Sequence, residues 1–165
     1  MNGGYSMKMK SGVEQALCIM IMLATQADHR PIKSTILSRR LEVSDSYLKK
    51  IMRSLVVSGL VHSIAGKDGG FVLKKSPKDM TMLHIYEAIE GKESFVRPTN
   101  LAEKVFLHAD KIKNKKREVL DVFSDAEQLF KQRLQKYTLE LLLMAGTNEV
   151  NVIDWESIVT SNEKE

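Results

Sequence analysis

The chain has 165 residues, 43% of them hydrophobic and 28% charged, with a net charge of +4. This composition suits a soluble globular protein with one domain and an extension, and it excludes a disordered chain. The apolar stretch Leu17 to Ala24 is too short to span a bilayer, no signal-peptide cleavage site follows the basic start, and one cysteine gives neither an internal disulfide nor a structural zinc site. A cytoplasmic protein, off the membrane, is expected.

The first six residues have no periodicity. Ser11 begins a helix, with Glu14 completing a capping box, and Val13, Leu17, Met20, Ile21 and Ala24 follow at helical spacing. Ala16, Cys18, Ile19 and Met22 widen that stripe, which predicts burial on more than one side. Cys18 is thus expected to be a buried, inert thiol; the functional alternative is a redox site whose oxidation disturbs this helix. Asp28 to Pro31 end the helix, and Ser34 is the next candidate cap, for a short helix carrying Ile36, Leu37 and Leu41. Glu42 and Val43 form a tight connection. Ser44 then caps a third helix that sends Leu48, Ile51, Met52 and Leu55 inward and Lys49, Lys50 and Arg53 outward, until Gly59 stops it.

A short helix, a tight connection and a helix with basic residues near its start form the helix-turn-helix pattern. Ser44, Ser46 and Tyr47 supply hydroxyls at the end that lies closest to bases, and the lysines and Arg53 supply charge further along. Leu60 to Ala65 and Phe71 to Lys74 read as strands around the turn Gly66-Lys67-Asp68-Gly69-Gly70, which makes a wing over residues 61–75. Its glycines let the tip approach a sugar-phosphate backbone, and Lys67 can flank a minor groove. The charge distribution agrees: residues 1–76 hold 12 Lys/Arg against 5 Asp/Glu, and residues 77–165 hold 13 against 16. Solvated helix faces alone would give a similar excess, but a basic first half is also the footprint of a nucleic-acid-binding module.

These residues resemble the Rrf2 family of bacterial transcription regulators. The resemblance rests on Ser44-Asp45-Ser46-Tyr47-Leu48-Lys49-Lys50-Ile51, on Ser58-Gly59-Leu60-Val61, on the wing from Ser63 to Leu73, and on Met80-Thr81-Met82 through Ala88-Ile89-Glu90-Gly91. It spans about Met7 to Gly91 and weakens to general architecture beyond. The resemblance implies a homodimer that binds double-stranded DNA at a palindromic operator, as a repressor. The DNA-binding residues it and the pattern suggest are Ser44, Ser46, Tyr47, Lys49, Lys50 and Arg53, with Ser63, Gly66 and Lys67 on the wing. Two departures stand out. Ala65 occupies the place of an arginine frequent in the family, and Lys49 stands where some members carry an acidic residue, exchanging an acceptor for cytosine N4 for a donor toward guanine.

In the second half, Thr81 caps a helix that Gly91 stops. Asn100 and Glu103 could cap a short helix through Leu107, and the charge run Lys111 to Arg117 is expected to be solvated. From about Glu118 a long helix carries Val119, Val122, Phe123, Ala126, Leu129, Phe130 and Tyr137 on one stripe, which the resemblance implies is the dimer helix. Thr138 caps a short helix through Met144, and Trp155 anchors a final amphipathic segment. The expected organisation is therefore mainly α with a small β-hairpin: a winged helix-turn-helix domain over 7–91, a variable sensor-like segment over 92–117, and a dimerisation helix with tail over 118–165. Many Rrf2 members hold an iron–sulfur cluster through three cysteines after the wing domain; none lies between Gly91 and Glu118 here, so no cofactor is expected. His29, His62, His84 and His108 are scattered without metal-ligand spacing, and His84 with His108 is the one weak alternative. The signal would then be a small molecule, a protein or thiol oxidation. The competing readings are a winged-helix protein-interaction module and, more distantly, an enzyme, for which no nucleophile, paired carboxylates or phosphate loop converge.

Overall fold

The computed structural model describes residues 11–106, 109–145 and 151–161. In chain order these form α1 (Ser11–Thr25), α2 (Ser34–Arg40), α3 (Asp45–Val57), β1 (Val61–Ile64), β2 (Gly70–Leu73), α4 (Met82–Glu90), α5 (Leu101–Val105), α6 (Ala109–Gln135), α7 (Leu139–Leu143) and α8 (Trp155–Ser161), with 3-10 turns at Ala27–His29 and Pro77–Asp79. β1 and β2 pair antiparallel, with Val61 opposite Leu73 and Ile64 opposite Gly70. Ile32 adds a short third edge, exchanging both backbone hydrogen bonds with Phe71 at 3.0 and 2.9 Å. The chain is mainly helical with one hairpin, the expected class.

One core gathers the N-terminal elements. Ile19 and Met20 of α1, Leu37 of α2, Leu48 and Leu55 of α3 and Ile85 of α4 are all wholly buried. Each such side chain contributes roughly 1.5–3 kcal/mol through its burial. Met80 and Leu139 belong to the same core, although 59 positions of chain separate them. Around them, Met82 N–H donates to the Tyr137 carbonyl at 2.8 Å and Leu139 N–H to the Met80 carbonyl at 2.7 Å. The C-terminal end of α6 is thereby stitched to the start of α4. Thr81 caps α4 in a reciprocal box: the His84 amide donates to its hydroxyl, and its own amide donates to His84 Nδ1 at 3.0 Å. That bond engages His84 in capping; His108 lies outside the described residues.

Several boundaries differ from expectation. α1 already includes Ser11, so its cap falls outside the described residues, and Lys33 rather than Ser34 is the cap residue of α2. The long helix starts at Ala109 rather than near Glu118, so the charge run forms its first turns and, as expected, is mostly exposed. Lys116 in that run is held by Glu103 of α5 at 2.7 Å, which gives the helix a reason to begin early. Leu107, expected to end α5, lies outside the described residues. Cys18 is also corrected: α1 turns it outward, and the thiol is exposed. The rest of the helix is largely covered, with Val13, Ala16, Ile19, Met20, Met22 and Leu23 buried, but Cys18 is left open to solvent.

The C-terminal segment closes back on the first helix. Ile153 pairs with Gln26 in a parallel bridge, the Trp155 indole N–H donates to Thr25 Oγ1 at 3.1 Å, and the Arg40 guanidinium lies 5.9 Å from the Trp155 ring centre. Arg30 and Lys33 meet Asp154 and Glu156 at 3.2 and 3.3 Å, both exposed pairs of small individual weight. The ring and its indole bond carry this clasp. Replacing Trp155 by Ala is expected to lower unfolding stability by about 1–3 kcal/mol in denaturant titration, whereas Glu156→Gln shifts it by less than about 0.5 kcal/mol. Equal effects of the two would mean that the ion pairs hold the tail.

Candidate nucleic-acid interface

The turn between α2 and α3 is made by Glu42, at φ 53°, whose amide and that of Val43 bond back to the Arg39 and Ser38 carbonyls. Ser44 then leaves the chain extended and accepts from the Tyr47 amide at 3.3 Å, which sets the first turn of α3. Its hydroxyl also lies 3.2 Å from that of Ser46. Leu48, Ile51, Met52 and Leu55 are buried. Ser46, Lys49, Lys50 and Arg53 repeat the same spacing on the opposite side, and all four are exposed. A helix fixed by one apolar stripe thus offers a hydroxyl and three cations on the other.

Tyr47 takes a different place from the one expected. It is half-buried against the core, and its hydroxyl comes within 3.7 Å of where a Cβ on Gly12 would sit. It steadies α3 against α1 rather than joining the outward stripe.

On the wing, Val61 is buried while Ser63 and Ile64 are exposed, as are Ala65, Gly66 and Lys67 at the tip. The glycines do not share one role. A Cβ on Gly69 would stand 2.2 Å from the Ile64 carbonyl oxygen, and one on Gly70 2.5 Å from that of Ile32. These two residues are small because the hairpin closes on itself and on the edge at Ile32. Gly66 alone meets open space, so the close approach to a backbone expected of three glycines rests on one. Beside the wing, a groove of about 300 Å³ runs past Arg30, Lys33, Asp68 and Glu156. Sequence reading missed this groove, in which Asp68 and Glu156 match the two cations, because Arg30 and Lys33 belong to the loop before α2 and their partners lie at the far end of the chain.

A family model described as Rrf2, iron-dependent transcriptional regulator, matches residues 9–145. Among similar proteins is the HTH-type transcriptional regulator YwgB of Bacillus subtilis, 44% identical over 100 residues that span 61% of this chain and 64% of that one. A second, YffB of Lactococcus lactis, is 35% identical over 133 residues, 81% of this chain and 85% of its own. The solved structure of CymR, described as the global cysteine regulator of B. subtilis, superposes with a TM-score of 0.58 at 28% identity, covering 83% of this chain and 96% of that one.

The family's description names iron. An iron–sulfur cluster is held chiefly by thiolates, the whole chain has one cysteine, and that residue lies on α1. No three His, Cys, Asp or Glu side chains gather into a metal site among the described residues.

The hairpin geometry makes a direct prediction. Gly69→Ala should lower stability by about 2 kcal/mol or more and weaken DNA retention, because backbone must move to admit the methyl. Ala65→Ser, at the exposed position four residues earlier, should leave the thermal midpoint unchanged. If Gly69→Ala melts like the wild type, the wing does not close as described.

Proposed function

The chain belongs to the Rrf2 family and is a DNA-binding transcription regulator of the helix-turn-helix type; on that footing we propose that it acts in the cytoplasm as a homodimeric repressor of a palindromic operator, without a cluster. The observation that carries the reading is the exposed stripe of Ser46, Lys49, Lys50 and Arg53 on a helix whose other side is locked into the core. Hydroxyls and short polar groups at the start of such a helix meet base edges, and the cations neutralise phosphates. Ser63 and Lys67 on the wing extend the contact to the neighbouring backbone.

A second copy is proposed along α6. Val119, Val122, Phe123 and Leu129 are 54%, 65%, 59% and 68% exposed. A row of large apolar side chains this open to water marks a surface that another protein covers. Two copies related by a two-fold axis there would present two recognition helices, and the operator would share that symmetry. No described helix is long and apolar enough to cross a membrane.

Lys49→Ala is expected to flatten base preference in a selection of bound genomic fragments, with a loss of about 1–3 kcal/mol on the best site. Lys67→Ala should weaken all sequences about equally and reduce the slope of log affinity against log salt by roughly one. Unchanged binding by Lys67→Ala would remove the wing from the interface. In sedimentation equilibrium, Leu129→Glu should shift the protein from dimer to monomer, and a variant that stays dimeric would place the second copy elsewhere.

A further inference from the structure

The C-terminal segment lies beyond residues 9–145, the span that matches the family, and is bound to the edge of the DNA-binding domain. Backbone and apolar contacts hold it there. Ile153 N–H donates to the Thr25 carbonyl and the Ile153 carbonyl accepts from Ala27 N–H, both at 2.8 Å. Trp155 bonds Thr25 through its indole, and Val159 is buried in the common core. These anchors bracket Asp154 and Glu156, so the two carboxylates are brought to their positions by groups other than the cations they meet.

What they meet is the flank of the wing. Arg30 and Lys33 lie to either side of Ile32, whose backbone pairs with Phe71 of β2, and both line one groove with Asp68, the neighbour of Lys67 in the wing turn. Asp154 reaches Arg30 at 3.2 Å and Glu156 reaches Lys33 at 3.3 Å. Arg30 also has Asp28, further off at 3.8 Å. The tail thus supplies the nearest carboxylate to each cation. The Ser157 hydroxyl, then its amide, hold the Asp154 carboxyl below the usual range, with Arg30 adding to this, so that carboxylate is charged at neutral pH.

Both pairs are wet. Side-chain exposures of 52% for Arg30 and 46% for Lys33 leave each cation in reach of water, where an ion pair adds little stability and another anion can exchange with it. With the tail held by its other anchors, the main consequence of the pairs is electrostatic. Cations beside a wing neutralise phosphates, and here a carboxylate is held in the place of each phosphate. We propose that Arg30 and Lys33 belong to the DNA interface and that Asp154 and Glu156 compete with phosphates for them, making the C-terminal segment a brake on DNA affinity. This rests on the reading of the wing as a DNA contact. Because the brake concerns the backbone alone, it sets affinity and leaves base preference to α3.

The test uses the full-length chain and measures affinity for a short mixed-sequence duplex and for a fragment selected from genomic DNA. Asp154→Asn with Glu156→Gln removes both charges, and asparagine keeps an oxygen to accept from Ser157, so the start of α8 survives. This pair should bind both DNAs roughly fivefold tighter or more at low salt and steepen the slope of log affinity against log salt by about one. The same change of net charge beside Met80 and Leu139, made with Asp79→Asn and Glu140→Gln at exposed positions, should move neither affinity more than about twofold. Arg30→Gln with Lys33→Gln should cost at least threefold more affinity in the neutral-tail chain than in the native one. Glu156→Gln crossed with Lys33→Gln repeats the comparison with Asp154 untouched. Unchanged affinity on neutralising the tail, an equal gain from the distant pair, or equal losses of the cations in both backgrounds would overturn the brake. Lys67→Ala in the native chain reports on the wing by itself: no weakening there removes the wing reading, whereas ordinary weakening beside a silent tail removes only the brake.

Discussion

Met80 and Leu139 are packed wholly inside one core, and the Leu139 amide donates to the Met80 carbonyl at 2.7 Å. Neighbouring Thr81 both caps α4 and bridges Thr138, the cap of α7. These few residues tie the end of a 27-residue helix to the domain that holds α3. Without the joint, the long helix would be held only along its flank by α4 and α5, and its exposed apolar side would be set less firmly relative to the recognition helix. With it, the distance between two recognition helices in a dimer becomes a property of the fold, which is what a regulator needs to read half-sites at a set spacing. The same joint forms one end of the α4–α6 contact, further along which a cavity lined by Tyr86, Phe95 and Phe130 opens.

The elements of the DNA-binding domain were legible because each is written locally. The Ser44 cap, the Leu48-Ile51-Met52-Leu55 period and the Gly66-to-Gly70 turn each lie within a dozen residues, and short-range rules decode them. What stayed hidden was long-range. Cys18 sits in a largely apolar helix, and only the way α3, α4, β2 and α7 pack around it decides that the thiol faces out. The charge run before Arg117 lacks apolar period, yet Glu103 gives Lys116 a partner and the helix extends through it. Tyr47 has a hydroxyl in the right stretch for DNA, but the space beside Gly12 takes it. The cavity had no sequence signal, since Tyr86, Phe95 and Phe130 come from three separate segments.

The wing shows how a motif can be recognised for one reason and kept for another. Gly69 and Gly70 are small because carbonyl oxygens of Ile64 and Ile32 stand where their side chains would be. Their role is to fold the hairpin, and the proposed DNA contact at the tip rests on Gly66 and Lys67. A similar division marks the sensor side. An iron–sulfur centre is held chiefly by thiolates and the chain has one cysteine, on α1, while a ring-lined cavity lies against the helix that backs α3.

The central claim is that two copies present the Ser46-to-Arg53 stripe in two-fold symmetry to DNA. Hydroxyl-radical footprinting on a fragment selected from genomic DNA tests it most directly. The account predicts two protected half-sites related by inversion, one helical turn of about 10 base pairs or a multiple apart, with protection lost as salt rises. A single unsymmetric protected patch, or no protected site on any retained fragment, would contradict it.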